Sequence, residues 1–277
     1  MDLLLLFPDV KGPFVVDPAP LDKVLVIIPT FNELENIELI TARLRKAVPQ
    51  AHILIADDNS PDGTGALADQ LAEADEHIHV MHRKGKEGLG AAYIAGFKWG
   101  LAQGYDVLVE HDADGSHQPE QLPLLLEALK TADMVKGSRY VKGGSVVNWP
   151  KSRELLSRGG SLWTRLMLGI PLMDITGGFN AFRAKTLRTI VDNISSSGYN
   201  FQVDLTWQAL QNGFTVVEVP IEFVERERGE SKMSGHIVVE ALFRTTWWGI
   251  RHRFNQIAGA AGKLGDAAKS LTERKSG

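Results

Sequence analysis

The chain contains no cysteine. That excludes a disulfide framework, a thiolate nucleophile and any cysteine-ligated zinc, and it fits a cytoplasmic protein. No apolar run approaches the length needed to cross a bilayer. The N-terminal run Leu3–Phe7 has no basic region before it and no convincing cleavage site after it, so it does not read as a secretion signal. Internal repeats and low-complexity blocks are also missing. The first strong strand is not followed by a G-x-G-x-x-G turn, which argues against a dinucleotide-binding dehydrogenase. The net charge of -4 gives no reason to expect a nucleic-acid partner.

What is present is globular in composition. In 277 residues, 44% are hydrophobic and 23% charged. This is enough to bury one large domain with an appendage, or two domains. Residues 1–22, rich in proline, read as an extended or disordered arm. From residue 23 onward, short continuous apolar runs alternate with helical stretches. Lys23–Pro29, His52–Ala56, Ile78–His82, Val107–Glu110 and Asp133–Gly137 are the runs. Continuous rather than alternating apolar strands belong to a parallel sheet covered on both faces, so the expected class is α/β with a mostly parallel central sheet.

Polar chemistry collects where these strands end. Val107–Glu110 runs into His111-Asp112-Ala113-Asp114-Gly115. Two carboxylates one residue apart are a common pattern and mean little alone. At the end of a buried strand they sit where open α/β sheets bind ligands, and such a pair suits a divalent cation, Mg²⁺ or Mn²⁺. The other reading is a polar turn capping the next helix. His111 and His117 flank the pair. Histidine can ligate Mn²⁺, although a strand-end histidine is more often a hydrogen-bonded structural residue. Asn32 and Glu35 have the spacing of a capping box for a helix running to about Val48. Asp57 and Asp58, Arg83 and Lys84, and Ser138 and Arg139 complete the rim.

The second half is rich in arginine, with Arg139, Arg153, Arg158, Arg226 and Arg228, and offers no obvious Asp/His base pair. A sugar hydroxyl acceptor would need a base, whereas a phosphate monoester is largely ionised at neutral pH and needs cations to fix it. The arginines therefore favour a phosphate acceptor. Asp174 reads as a structural turn residue, with a catalytic base as the alternative. From His236 to Ala261, apolar and aromatic residues including Trp247 and Trp248 interleave with Arg244, Arg251 and Arg253. That suits a helix lying in a membrane interface, or one packed on the domain's own core. Residues 236–277 are read as this amphipathic helix and a flexible tail.

Several of these motifs carry a resemblance. Ile28-Pro29-Thr30-Phe31-Asn32-Glu33, Asp57–Thr64 and Asp112-Ala113-Asp114 resemble the family 2 inverting glycosyltransferases. Gly137–Tyr140, Thr176–Phe179 and Gly229–Met233 narrow the resemblance to the polyprenol- or dolichol-phosphate mannose synthases. It covers residues 23 to about 235 and implies a GT-A fold for a catalytic domain over 23–235. It further implies transfer of mannose from GDP-mannose to a polyprenyl phosphate with inversion. By position, Pro29, Phe31, Glu33, Ala56 and Asp58 would line the nucleotide pocket, with Lys84 beside the diphosphate. Asp112, Ala113, Asp114 and Ser116 would meet the donor, and Asp112, Asp114 and Gln118 the metal. Arg139, Arg226 and Lys232 would meet phosphates. Asp114, Arg139 and Arg226 are the residues expected to carry catalysis, and Arg139, Arg153 and Arg226 to hold the acceptor. The expected location is the cytoplasmic face of a membrane, peripherally, through an interfacial helix or a separate integral-membrane partner. A UDP-glucose donor, or a non-catalytic nucleotide-binding regulatory domain, are the competing readings.

Overall fold

Strand β1, Val24–Thr30, is buried at six of its seven positions, and its side chains divide between two cores. Val24, Val26 and Ile28 join one apolar cluster and Leu25 and Ile27 another. A strand alternates its side chains between faces, so helices must cover both sides of this sheet. In the computed structural model, which describes residues 20–194, 200–226 and 245–251, they do. Helices α1 (Ile37–Ala47) and α2 (Thr64–Ala74) follow β1 and β2 (His52–Asp57). Helix α3 (Leu89–Ala102) follows β3 (Ile78–His82), and α4 (Leu122–Ala128) follows β4 (Val107–Glu110). Next come β5 (Met134–Ser138), β6 (Ser145–Val147), α5 (Lys151–Leu168), β7 (Asn180–Arg183), α6 (Ala184–Ile190), α7 (Asn200–Gln211), β8 (Val216–Pro220) and β9 (Glu222–Val224).

The main sheet has the order β3-β2-β1-β4-β7-β5-β8, and β6 pairs with β9 in a second, two-stranded sheet. β1, β2, β3 and β4 pair in parallel, as do β5 and β8. The exception is β7, antiparallel to both β4 and β5. Its chain arrives from the carboxyl rim by way of Asp174–Phe179, so it enters the sheet running the opposite way. The insertion places Asn180 level with Glu110 on one side and Lys136 on the other.

Helix α3 lies unusually close to the sheet. A Cβ on Gly96 would stand 2.6 Å from Ile27 Cγ2, and one on Gly100 2.7 Å from both Leu25 and Leu108. These two positions, one turn apart, need glycine because no side chain fits between helix and strand. The close approach carries Tyr93, one turn earlier, up to the rim.

The expected α/β class and mostly parallel sheet hold. The expected capping box does not. Asn32 sits in the left-handed region at φ 58°, and α1 starts only at Ile37. The N–H groups of Asn32, Glu33 and Leu34 are taken by side chains of the next loop, Ser60, Thr64 and Asp62. The segment is tied to its neighbour across the rim instead of closing a helical turn. Of the expected C-terminal helix, residues 245–251 are helical. There Trp248 packs beside Leu168, Ile170 and Ile175, and Trp163 Nε1 donates to Thr246 Oγ1 at 3.2 Å. Trp247 is 64% exposed. The remainder of 236–277 and nearly all of the N-terminal arm lie outside the described residues.

Candidate active site

Two adjacent aspartates end β2, and they do different work. Asp57 Oδ1 accepts from Thr30 Oγ1 (2.9 Å) and Ser60 Oγ (2.6 Å), and its Oδ2 from Ser60 N (3.0 Å). It ties the first two loops together. Asp58 instead pairs with Arg83, at the end of β3, and Arg83 Nη2 also reaches Glu87 at 2.6 Å. Both members of the Asp58–Arg83 pair are less than a tenth exposed. Burial pushes the Asp58 carboxyl up, and the Arg83 charge opposes it. The cation beside Asp58 is thus Arg83, while Lys84 is exposed. Lys86 Nζ lies 4.3 Å above the Phe31 ring. Ala56 is fully buried, so it can offer a nucleotide only its backbone; Pro29 is half-buried.

The loop after β4 holds Asp112 and Asp114. Asp112 Oδ1 accepts from Tyr93 OH at 2.9 Å, and its Oδ2 lies 3.8 Å from His117 Nδ1. Asp114 Oδ1 accepts from Ser116 N at 3.0 Å, and its Oδ2 lies 3.2 Å from Arg226 Nη2. Burial, then the Asp114 charge, push Asp112 up to about 7. Burial also raises Asp114, but Arg226 and the Ser116 N–H outweigh it and hold that carboxyl below the usual range. Two carboxylates this close resist sharing a full charge until a cation joins them. Hard oxygen donors on an open rim fit Mg²⁺ or Mn²⁺. Among the described residues, no three His, Cys, Asp or Glu side chains converge to hold a metal unaided. Oxygens from a bound substrate would have to complete such a site.

Gln118, expected as the third ligand, is engaged elsewhere. Its Oε1 accepts from Arg43 Nη2 at 2.7 Å and its Nε2 donates to Gly115 O at 3.0 Å. Arg43, anchored on Glu120, holds the amide there. Ser116 is buried and supports Asp114 through its N–H.

Arg139 is also differently placed from the expectation. Its Nε and Nη2 form a fork onto Asp174, at 2.6 and 2.7 Å, and Nη2 reaches Thr176 Oγ1 at 3.1 Å. Asp174 is fully buried, accepts the Arg139 backbone N–H as well, and is held below the usual carboxylate range because Arg139 outweighs the effect of burial. The pair is a structural clamp: it answers the open question about Asp174 in favour of structure and takes these Arg139 donors away from phosphates. Arg153 pairs with Glu225 and lies 4.3 Å from the Trp149 ring centre, while Arg158 bonds Glu154 at 2.8 Å. Arg226 is brought to the Asp112/Asp114 pair, and Glu33 sits on the same rim, near enough for its charge to act on Asp112. Lys232 and Arg228 lie outside the described residues.

Sequence reasoning missed the polar layer beneath the rim. Asn180 Nδ2 donates to Glu110 Oε2 (2.6 Å) and Gln202 Oε1 (2.8 Å), and its Oδ1 accepts from Lys136 Nζ (2.8 Å). Burial pushes Glu110 up to about 8 and Lys136 down to about 8. The only available signal was a charged residue inside each apolar strand. Tyr93 gave none, since a tyrosine on an apolar helix face ordinarily reads as core.

The comparisons with known proteins agree with this geometry. Residues 25–191 match the family model described as glycosyl transferase family 2. The chain is 59% identical over 241 residues to an undecaprenyl-phosphate mannosyltransferase of Micrococcus luteus, covering 87% of this chain and 99% of that one. It is 56% identical over 249 residues to a polyprenol monophosphomannose synthase of Mycolicibacterium smegmatis, covering 88% and 94%. Among solved structures it is similar in fold to glucosyl-3-phosphoglycerate synthase of Mycobacterium tuberculosis, solved with Mn²⁺ and UDP. There the TM-score is 0.60 at 20% identity, over 84% of this chain and 80% of that one. A mannosyltransferase from Pyrobaculum calidifontis, solved with GDP-Man and Mn²⁺, gives a TM-score of 0.51 at 17% identity, over 94% and 83%. With the family model spanning most of the chain and two full-length relatives above half identity, this chain belongs to glycosyl transferase family 2.

Proposed function

We propose that the chain transfers mannose from GDP-mannose to a polyprenyl monophosphate, in one inverting displacement that depends on a divalent cation. The names of the two relatives above half identity support the sugar and the acceptor class. The observation that carries the phosphate acceptor is the Arg139–Asp174 clamp. It commits to structure the carboxylate that could have served as a base, and a phosphate acceptor needs none.

In this reading the catalytic domain is residues 23–235, and the nucleotide lies along Pro29, Phe31, Glu33, Ala56 and Asp58. Asp112 and Asp114 would hold Mg²⁺ or Mn²⁺, which when bound would supply positive charge against the departing diphosphate. Arg226, 3.2 Å from Asp114 Oδ2, would supply positive charge to a phosphate bound beside that carboxylate. Arg153 adds positive charge toward the acceptor, and the family resemblance assigns Lys232 to the donor phosphates. The phosphate oxygen attacks the anomeric carbon, the bond to the diphosphate breaks, and the lipid product is β-linked. The enzyme works peripherally at the cytoplasmic face of a membrane. No described helix is long and apolar enough to cross one, and Leu155, Leu162 and Leu166 on α5 stand exposed with Trp247. Such a surface suits an interfacial seat.

The test is transfer of labelled sugar to a polyprenyl phosphate by purified protein with Mn²⁺ or Mg²⁺, from GDP-mannose and in parallel from UDP-glucose. Label reaching the lipid only from GDP-mannose is expected. Label only from UDP-glucose would keep the fold and mechanism and replace the sugar. Absence of any nucleotide-sugar binding would overturn the transferase reading in favour of a regulatory domain.

A further inference from the structure

We infer that Gln202 is a sugar-binding residue, whose side-chain Nε2 donates a hydrogen bond to a hydroxyl of the hexose being transferred. This rests on the nucleotide-sugar reading above and names a contact within it. Gln202 lies in the first turn of α7 and is 7% exposed. Its Nε2 has no hydrogen-bond partner among the described residues. A buried amide donor left unmade costs stability, so its presence calls for an explanation, such as a ligand that completes it.

The amide is held in one orientation. Gly177 O can only accept, so Asn180 turns Nδ2 toward it, at 3.2 Å. The same nitrogen donates to Gln202 Oε1 at 2.8 Å. That keeps the Gln202 oxygen on the buried layer and leaves Nε2 as the end without a partner. A Cβ on Gly178 would meet Nε2 at 3.6 Å and Asp112 Oδ2 at 3.7 Å, with nothing closer. The amide donor and the aspartate therefore border one small space. Phe201, next in the chain, lies parallel to Tyr93 with ring centres 6.0 Å apart, and Tyr93 OH bonds Asp112 Oδ1. One packed unit thus positions both groups. Phosphate favours charged donors, and Arg226 stands beside Asp114 for that. Lys136 Nζ, in the buried layer, is turned to Gly177 O and Asn180 Oδ1. The neutral amide of Gln202 suits a hydroxyl, which accepts from Nε2 and can donate its own hydrogen onward.

The test is calorimetric binding to the full chain in the presence of Mn²⁺. Gln202→Met, of similar length, should bind GDP-mannose about tenfold more weakly and GDP equally well, because one hydrogen bond to the sugar is lost. Equal weakening of both ligands, which a structural role or a phosphate contact would give, overturns the assignment, as does unchanged binding of both. Deoxy analogues of GDP-mannose, each lacking one hydroxyl, test it on the unaltered protein as well. One of them should bind about tenfold more weakly there, and should lose nothing further in Gln202→Met. Undiminished affinity for every analogue overturns the assignment whether or not the variant folds. Failure of the unaltered protein to bind GDP-mannose would overturn the donor reading and this contact with it.

Discussion

The Tyr93 hydroxyl, delivered from inside helix α3, donates a 2.9 Å hydrogen bond to Oδ1 of Asp112. The tyrosine is fully buried, so it orients the carboxylate without competing for solvent. Its placement depends on Gly96 and Gly100, which let the helix settle against β1 and β4. Tyr93→Phe keeps the ring and deletes the hydroxyl. Partners of metal ligands typically contribute about 10- to 100-fold to affinity or activity. We expect Mn²⁺ affinity and turnover to fall about tenfold with an unchanged melting temperature. Turnover equal to the unaltered protein would remove Tyr93 from the site.

The buried Asp58–Arg83 pair should be costly to halve. Arg83→Met leaves a carboxylate with little access to water, at a cost of about 3 kcal/mol in urea unfolding, as for other broken buried pairs. Removing both charges, in Asp58→Asn with Arg83→Met, should recover much of that loss while nucleotide binding stays weak. If the double variant is as unstable as the single one, the pair is not the source of the cost.

Gly178 borders the space beside Asp112. A Cβ there would meet Gln202 Nε2 at 3.6 Å and both Asp112 Oδ2 and His117 Cε1 at 3.7 Å, all ordinary contacts. Gly178→Ala should therefore fold normally and lose turnover about tenfold or more, because a misplacement near 1 Å at a reacting centre costs on the order of 100-fold. Gly177→Ala provides the contrast. Its Cβ would stand 3.0 Å from the Gly137 carbonyl, so that variant should lose stability. Full activity in Gly178→Ala would mean that the substrate does not use this space.

Arg226 faces Asp114 but is proposed to meet phosphate. Arg226→Ala should raise the acceptor KM more than the donor KM. It should also let the Asp114 carboxyl rise, since Arg226 is the main group opposing burial there. Steady-state kinetics with each substrate varied in turn decide this, and an unchanged acceptor KM would count against the role.

Far from the site, His52 Nδ1 and His79 Nε2 lie 2.9 Å apart. One ring must donate and the other accept, so both cannot be charged. Burial and then His77 lower both pKa values from 6.5. Arg45 adds to this at His52, and Asp75 partly opposes it there. A group whose folded pKa is depressed stabilises the fold above its unfolded value and loses that contribution as pH falls. The melting temperature should therefore drop between pH 7.5 and 5.5, and drop less in His79→Gln. Parallel curves for the two proteins would exclude the cluster as the cause.

The parallel sheet, the order of strands and helices up to residue 138, and the Asp112/Asp114 pair were legible from the chain alone. They depend on local patterns: continuous apolar runs, turn residues at their ends, and carboxylates one residue apart. Three features were not. The antiparallel insertion of β7 depends on the direction from which a distant segment enters the sheet. The clamp of Arg139 on Asp174 joins residues 35 apart in sequence. The contacts of Tyr93, Arg83 and Gln118 depend on which neighbour each side chain meets across the rim. Sequence by itself determined which residues must be buried and which reach the rim, because burial follows from side-chain polarity and period. Only tertiary structure decided which of the rim residues are already paired, because pairing depends on distances across elements that no spacing along the chain encodes.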